Sequence, residues 1–210
     1  MHKKDPWTRQ EASMLGKLNT PLKIQQFLDE IDYNSVVECQ SPRRIMKNRR
    51  AHCFEGALFA AACMQFHGNT PLVVDMKAYN DDDHVIAVFK FKNHWGAVAK
   101  SNCTTLRFRE PVYRNIRELC MSYFDLYCNV YGEKSLRSYS LPVNLNNLQI
   151  PDWMVTDEDL DQLGQRLNVV RHYPMLTESM IANLSPMSDI LLKATLLGSN
   201  PAGLFKPKKP

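Results

Sequence analysis

The sequence lacks the segments that would place a protein in or across a membrane. No apolar run approaches the roughly 20 residues that a membrane-spanning helix needs. The charged opening, with Lys3 and Lys4, is not followed by the apolar stretch of a signal peptide. There is also no internal repeat and no low-complexity segment. We therefore expect a soluble globular protein in the cytoplasm, with no membrane partner.

Signals for disulfide bonds are missing as well. The six cysteines show no C-x-x-C spacing. Without an export signal, they are predicted to be reduced thiols, most of them small core residues.

Length and charge limit the size of the domain and the kind of partner. At 210 residues and 44% hydrophobic, the chain is long enough for one well-cored domain with a small appendage. The net charge is only +4, and the positive charge is concentrated in residues 43–50 and 206–209. Solvated faces and a loose tail are favoured over a nucleic-acid footprint, for which residues 43–50 are the only support. We do not expect nucleic acid as a partner.

Residues 51–68 stand out from the rest of the sequence. They read Ala-His-Cys-Phe-Glu-Gly, continue almost entirely with apolar or small residues, and end in His67 and Gly68. This pattern predicts a helix that is buried on most sides and closed by Gly68. Its first turn carries Cys53, where unpaired backbone N–H groups and the helix dipole favour a thiolate and can bind an oxyanion. Cys53 is therefore the first candidate nucleophile.

Three strands are predicted after this helix, at residues 71–78, 84–91 and 95–102. A hairpin centred on Asn93 would place His84 opposite Asn102, on the same face of the sheet. Helices are also predicted to start after the caps Thr20 and Ser41, at residues 116–131 and from residue 156 to about 168, with a loop at 138–151.

The order of these residues is that of a thiol enzyme. A hydrolase or acyl transferase of this kind needs a thiol nucleophile, an imidazole that takes and returns its proton, and a group that orients the imidazole. Cys53, His84 and Asn102 are the candidates for these three roles. The alternatives are a buried structural thiol, a strand-edge histidine in a salt cluster and a strand-end cap.

Three sequence blocks carry a resemblance to a known family. They are the Ala-His-Cys-Phe-Glu-Gly helix, the His-Gly-Asn-Thr-Pro-Leu-Val-Val step into a strand, and Asp-His-Val-Ile-Ala-Val-Phe followed by Trp-Gly-Ala-Val. Together they resemble the transglutaminase-like core, the papain-related superfamily of transglutaminases, bacterial thiol proteases and peptide N-glycanases. The resemblance covers about residues 40–105 and implies that Cys53 is the nucleophile and His84 the base. The family usually has Asp where this sequence has residues 99–102, so the third member is left open between Asn102, Ser101 and another group.

Three further residues are candidates for substrate binding: His52, Glu55 and Trp95. Glu55 is the only charge in an apolar helix, so it is predicted to pair with an arginine from residues 43–50, with a catalytic part as the alternative. Trp95 belongs either to the core or to a cover over the site. The acidic run at residues 81–83 is predicted to be a solvated turn, with cation binding as the alternative. Cys63 and His67 have the spacing of two zinc ligands, but no second pair is evident and no metal site is predicted.

The predicted fold class is α+β: a transglutaminase-like core with a central helix on a short antiparallel sheet, plus additional helices from both ends. Residues 1–150 are expected to form this core with the N-terminal helices, residues 151–200 a helical appendage on the same domain, and residues 201–210 a flexible basic tail.

The predicted function is that of a cysteine-dependent amide-bond hydrolase or acyl transferase, which acts on a peptide or protein amide and needs no cofactor. The alternative is a catalytically silent domain of the same fold that binds a peptide or partner protein. The substrate, the acyl acceptor and the oligomeric state are left open.

Overall fold

Helix caps in the sequence set where several helices begin. Thr20 and Ser41 each precede a proline, and their side chains accept the N–H groups of Lys23 and Arg44, as predicted. The computed structural model describes residues 6–208. Within this range the α-helices are α1 (Arg9–Lys17), α2 (Pro21–Glu30), α3 (Pro42–Asn48), α4 (Cys53–Phe66), α5 (Ile116–Phe124), α6 (Asp161–Asn168), α7 (Glu178–Ala182) and α8 (Asp189–Thr195).

The strands form one large sheet and one small ladder. Within residues 6–208 the strands are β1 (Asp32–Tyr33), β2 (Arg50–Ala51), β3 (Leu72–Ala78), β4 (His84–Phe91), β5 (His94–Val98), β6 (Arg109–Tyr113), β7 (Leu136–Ser140), β8 (Val143–Asn144) and β9 (His172–Pro174). β1 and β2 pair in parallel, whereas the large sheet has the order β6-β5-β4-β3-β7-β9, with β8 also paired to β3. Every pairing in the large sheet is antiparallel. The predicted α+β class with an antiparallel sheet is confirmed.

The hairpin of β4 and β5 has a tight two-residue turn. Lys92 and Asn93 have φ angles of 44° and 67°, the left-handed pair that a type I′ turn requires. Phe91 therefore pairs with His94, and Ala87 with Val98. The prediction that His84 lies opposite Asn102 is wrong by one residue, because this register would lead to Ser101, and β5 already ends at Val98.

Helices cover both faces of the sheet. One core contains α4 with residues of α1, α2, α3 and α6, and it includes Val85 and Ala87 of β4. The other core contains α5 and the alternate residues of β4, Ile86 and Val88. Since successive residues of a strand point to opposite faces, the sheet separates α4 from α5. The central helix α4 is buried on most sides, as predicted.

Other elements differ in length from the predictions. α5 ends at Phe124, and the N–H groups of Leu126 and Tyr127 donate to Tyr123 and Phe124 in the turn that follows. The chain then turns around Asn129, whose Oδ1 accepts the N–H groups of Tyr131 and Glu133. α6 starts at Asp161, because Thr156 caps a turn before it by accepting the N–H of Glu158. Residues 138–151, predicted to be a loop, contain part of β7, all of β8 and a 3₁₀ turn at Leu145–Leu148.

The segments beyond residue 150 are integral to the domain. α6 contributes Leu163 and Leu167 to the core beside α4, and β9 extends the large sheet through β7. Residues 201–208 lie against the protein, where Lys208 exchanges two hydrogen bonds with Asn80. The sequence predicted a flexible tail here, of which residues 209–210 lie outside the described range. No helix among residues 6–208 has the length and apolar character needed to cross a membrane.

Candidate functional site

Cys53 is the first residue of α4, and its sulfur faces the start of β4. Sγ lies 3.7 Å from the carbonyl oxygen of Asp83. Burial raises the pKa of this thiol to about 12, against a smaller lowering by the N–H of Val85. The prediction that the helix start favours a thiolate is therefore wrong for this structure, in which desolvation outweighs the helix N-terminus. All six cysteines are free, and Cys53 is one of the three that are not fully buried.

Glu55 fixes the geometry of this helix start. Its side chain is completely buried, and its two oxygens accept the N–H groups of Gln40 and His52 at 2.7 Å each. Both oxygens also accept the amide of Asn34, at 3.1 and 3.0 Å. The prediction that Glu55 pairs with an arginine is wrong, because backbone and amide N–H groups satisfy it instead.

His84 opens β4, and its ring points to the face of the sheet that carries α5. It is buried, and its Nε2 lies 3.0 Å from the carbonyl oxygen of Leu106. The rings of Tyr123 and Tyr127 meet it edge-on. Burial lowers the pKa of His84 to about 4, with a further lowering by Arg109. A carbonyl can only accept, so Nε2 carries the proton and Nδ1 is the basic nitrogen of the neutral ring.

Cys53 and His84 line one small cavity of about 60 Å³ at the end of the sheet. Tyr33, Tyr127 and residues 203–205 are part of the same wall. Tyr33 reaches this place because β1 pairs it with Ala51, two residues before Cys53. Within residues 6–208 no hydrogen bond joins the Cys53 and His84 side chains; each is bonded to a backbone carbonyl.

A larger cleft of about 620 Å³ also reaches Cys53. His52 and Cys39 line it, with 3.7 Å between Nε2 of His52 and Sγ of Cys39. Burial lowers the pKa of His52, an effect that the nearby Glu55 carboxylate opposes. Of the predicted substrate-binding residues, His52 is thus placed at the cleft, and Glu55 lies behind it.

Asn102 and Trp95 are placed elsewhere. Asn102 also lines the small cavity, but its amide exchanges two hydrogen bonds with the backbone of Asn200, at 2.9 and 2.7 Å. The group that orients His84 is the Leu106 carbonyl instead. Trp95 pairs with Lys90, six residues along β4 from His84 and therefore about 20 Å away at ~3.3 Å per residue. That distance removes Trp95 from the site.

The acidic run between β3 and β4 is used for internal contacts. Asp83 accepts the N–H of Ala78 and forms an ion pair with Lys77. Asp81 accepts the hydroxyl of Ser135 at 2.6 Å, and burial raises its pKa to about 6. No group of three or more His, Cys, Asp or Glu side chains in the described part of the chain is arranged to hold a metal ion.

The arginines of residues 43–50 are largely paired with acids. Arg43 binds Glu11 at 2.7 Å, Arg44 binds Glu38 at 2.6 Å and Arg49 lies 3.5 Å from Glu30. These pairs neutralise much of the basic cluster in the sequence.

Sequence reasoning missed several residues that shape the site. Tyr33 could be predicted only from the β1–β2 pairing, which the sequence did not reveal. The contribution of Leu106 is a backbone carbonyl, which any residue could supply, so its side chain gives no signal in the sequence. Asp75 is buried in β3, lines the larger cleft and binds Lys77 and His172 at 2.9 and 3.0 Å. A lone acid in an apolar strand was a signal for this network, but its partner on β9 lies 97 residues away in sequence.

In comparisons with known proteins, no family model matches this chain, and neither does any curated protein.

Proposed function

We propose that this protein is a cysteine-dependent amide-bond hydrolase or acyl transferase with a transglutaminase-like, papain-related core. In this proposal Cys53 is the nucleophile and His84 is the base. One observation carries the proposal: a thiol in the first turn of a buried helix and a histidine held by its Nε2 line the same cavity. The carbonyl of Leu106 selects the tautomer whose Nδ1 can accept a proton.

The resting pair is neutral, which determines how the chemistry would start. With the pKa of Cys53 near 12 and that of His84 near 4, neither group is charged at neutral pH. His84 would therefore remove the thiol proton as the sulfur attacks the carbonyl carbon of an amide, rather than stabilise a preformed thiolate. The N–H of Cys53, in the first turn of the helix, would donate to the oxyanion. The amine would leave with the proton held by His84, and water or an amine would then resolve the thioester.

The site departs from the resemblance at its third member. A carboxylate at this position would stabilise the imidazolium by charge, whereas the Leu106 carbonyl supplies orientation and only a dipole. A lower rate than that of a carboxylate triad follows from this difference.

A second candidate function is a peptide- or protein-binding domain that has kept the fold without the chemistry. The observation that favours it is the desolvation of both Cys53 and His84, which opposes charge on either group.

Acylation by a small ester distinguishes the two functions. The protein is mixed with p-nitrophenyl acetate at neutral pH, and each cysteine is followed by peptide mass spectrometry after acid quenching. Cys53 is expected to be acetylated first, and His84→Gln is expected to slow this step by about 100-fold, the usual contribution of a general base.

His67→Gln is the matched control, because His67 also bonds a backbone carbonyl through Nε2, that of Leu15 at 2.9 Å. It should leave acetylation of Cys53 unchanged. If Cys53 is acetylated no faster than the other cysteines, or equally fast in both variants, the enzyme proposal fails and the binding domain takes its place.

A further inference from the structure

The cavity at Cys53 is covered by a piece of the same chain. We name residues 195–208 the return segment, because they come back across the site from the far end of the sequence. The segment is fixed first at Thr104, whose N–H donates to the carbonyl of Thr195 at 2.9 Å and whose hydroxyl donates to that of Leu197. Asn102 then holds Asn200 by the two hydrogen bonds described above.

The other end of the return segment is fixed at Asn80. The N–H of Lys208 donates to Oδ1 of Asn80 at 2.8 Å, and the amide of Asn80 donates to the carbonyl of Lys208 at 3.0 Å. Asn80 lies in the turn between β3 and β4, just before the acidic run and His84. The stretch between these two anchors includes residues 203–205, which line the cavity with Cys53 and His84.

Three residues between the anchors meet the catalytic candidates. Gly203, Leu204 and Phe205 line both the small cavity, which contains Cys53 and His84, and the larger cleft. Leu204 has φ −84° and ψ 134°, an extended conformation. All three are partly buried, so the protein surface already accommodates a strand-like peptide at this place.

Gly203 lies where no side chain fits. A Cβ atom on this residue would lie 2.5 and 2.8 Å from two carbon atoms of the Tyr33 ring and 3.3 Å from Nδ2 of Asn102. The backbone of Tyr33 is fixed by pairing with Ala51, and the two carbon atoms belong to its rigid ring. This position therefore selects glycine by steric exclusion.

From this arrangement we infer that the Cys53 cleft binds extended polypeptide with a glycine against Tyr33 followed by two apolar residues, and that the return segment occupies it as an internal ligand. The inference rests on the proposed function, since it names the substrate class of that site. A free peptide of this kind would have to displace residues 203–205 before its backbone could approach Cys53. The covered form is then the resting form, and displacement increases the access of bulky molecules to the sulfur.

The test measures access to Cys53 in the full-length chain. Wild type and Gly203→Val are treated with a polyethylene-glycol maleimide, which is too bulky to enter beneath the segment, and modification of Cys53 is followed over time. Because valine cannot fit beside Tyr33, Gly203→Val should increase the modification rate by about tenfold or more. Leu197→Ala, an exposed position on the same segment, should leave the rate unchanged. Phe205→Ser provides a second way to loosen the cover if Gly203→Val does not fold.

A synthetic peptide tests the specificity. The nine-residue peptide Asn-Pro-Ala-Gly-Leu-Phe-Lys-Pro-Lys, identical to residues 200–208, is added to the opened variant. It should slow Cys53 modification towards the wild-type rate, and the same peptide with valine for glycine should not. Equal rates in wild type and both opened variants, or equal protection by both peptides, would overturn the inference.

The two proposals fail in different ways. If the small ester acetylates Cys53 with dependence on His84 while the segment variants change nothing, the enzyme proposal stands and the internal ligand is wrong. If the peptide protects Cys53 but no acetylation occurs in wild type or the opened variants, the cleft is a binding site and the enzyme proposal is wrong.

Discussion

Asn34 donates its side-chain amide to both carboxylate oxygens of Glu55 inside the protein, at 3.1 and 3.0 Å. This contact ties the turn after β1 to the first turn of α4. The carboxylate therefore accepts N–H groups from Asn34, Gln40 and His52. Among residues 6–208 no Lys or Arg forms an ion pair with it, and the His52 ring lies 3.7 Å away. These bonds join residues 34 and 40 to the helix start that carries Cys53.

Glu55→Gln should therefore be strongly destabilising although it changes no volume. One of the two oxygens becomes an NH₂ group that faces a donor, and a buried bond is replaced by a repulsive contact. We expect a loss of about 3 kcal/mol in the free energy of unfolding, measured by urea titration. Glu38→Gln, whose acid is exposed and pairs with Arg44 at the surface, is the control and should leave stability nearly unchanged. An equal effect of the two substitutions would contradict this account of Glu55.

The buried imidazole of His84 predicts loss of stability in mild acid. Burial, and to a smaller extent Arg109, lowers its pKa to about 4 from an ordinary value of 6.5. Between about pH 6.5 and pH 4, His84 is therefore protonated in the unfolded chain but neutral in the folded chain. The contribution of His84 to the free energy of unfolding is at its maximum above pH 6.5, and it falls by up to about 3 kcal/mol between pH 6.5 and pH 4.

Because other acidic groups titrate in the same range, the quantity to measure is the difference in stability between wild type and a His84 variant. Urea unfolding of wild type and His84→Gln is compared at several pH values between 7 and 4. The stability of the variant relative to wild type should improve steadily as the pH falls, because glutamine does not bind a proton. A constant difference would show that the ring is solvated in the folded state.

For Asp81 we predict the opposite pH dependence of the free energy of unfolding. Burial raises its pKa to about 6 from 3.8, so the folded chain holds its proton more tightly than the unfolded chain does. The favourable contribution of Asp81 to the free energy of unfolding is at its maximum below about pH 4 and is lost as the pH rises through 6. Asp81→Asn keeps an oxygen for the N–H of Asp82 and should stabilise the protein by about 2 kcal/mol at pH 8, with no gain at pH 4. Asp83→Asn, which breaks the pair with Lys77, should not stabilise it at either pH.

Two glycines on helices give a matched test of packing at α4. A Cβ on Gly56 would overlap Cβ of Lys100, whereas a Cβ on Gly16 in α1 would meet nothing within 4 Å. Gly56→Ala should lower stability by about 1–3 kcal/mol because the helix must move away from the residues after β5. Gly16→Ala should raise stability by about 0.5–1 kcal/mol through helix propensity alone. Thermal unfolding of the two variants checks both signs, and a gain from both would mean that α4 is loosely packed.

Local signals made much of the fold predictable. Thr20, Ser41 and Gly68 bounded α2, α3 and α4 because caps act over three or four residues of sequence. α1 was missed although Thr8 and Glu11 carry the capping-box pattern, which its polar composition obscured. β9 was missed because its strand character comes from pairing with β7, more than thirty residues away in sequence.

The candidate site was predictable in its residue types but not in its connections. Cys53 and His84 were found because helix starts and strand starts have sequence signatures. The partner of His84 was not, since it is the backbone carbonyl of Leu106, which lies beyond the end of β5 and has no signature in the sequence. The cover of residues 203–205 depends on a chain reversal that no local pattern encodes.

The stretch of residues 40–105 cannot be a self-sufficient module. It contains α4 and the strands β3, β4 and β5, but Ile86 and Val88 face a layer supplied by α5, and Tyr123 and Tyr127 enclose His84. Cut out as a fragment, this stretch would expose one apolar face of its sheet to water and leave the imidazole solvated. Any ancestor or engineered chimera that transfers Cys53 and His84 to another protein must transfer residues 106–127 with them.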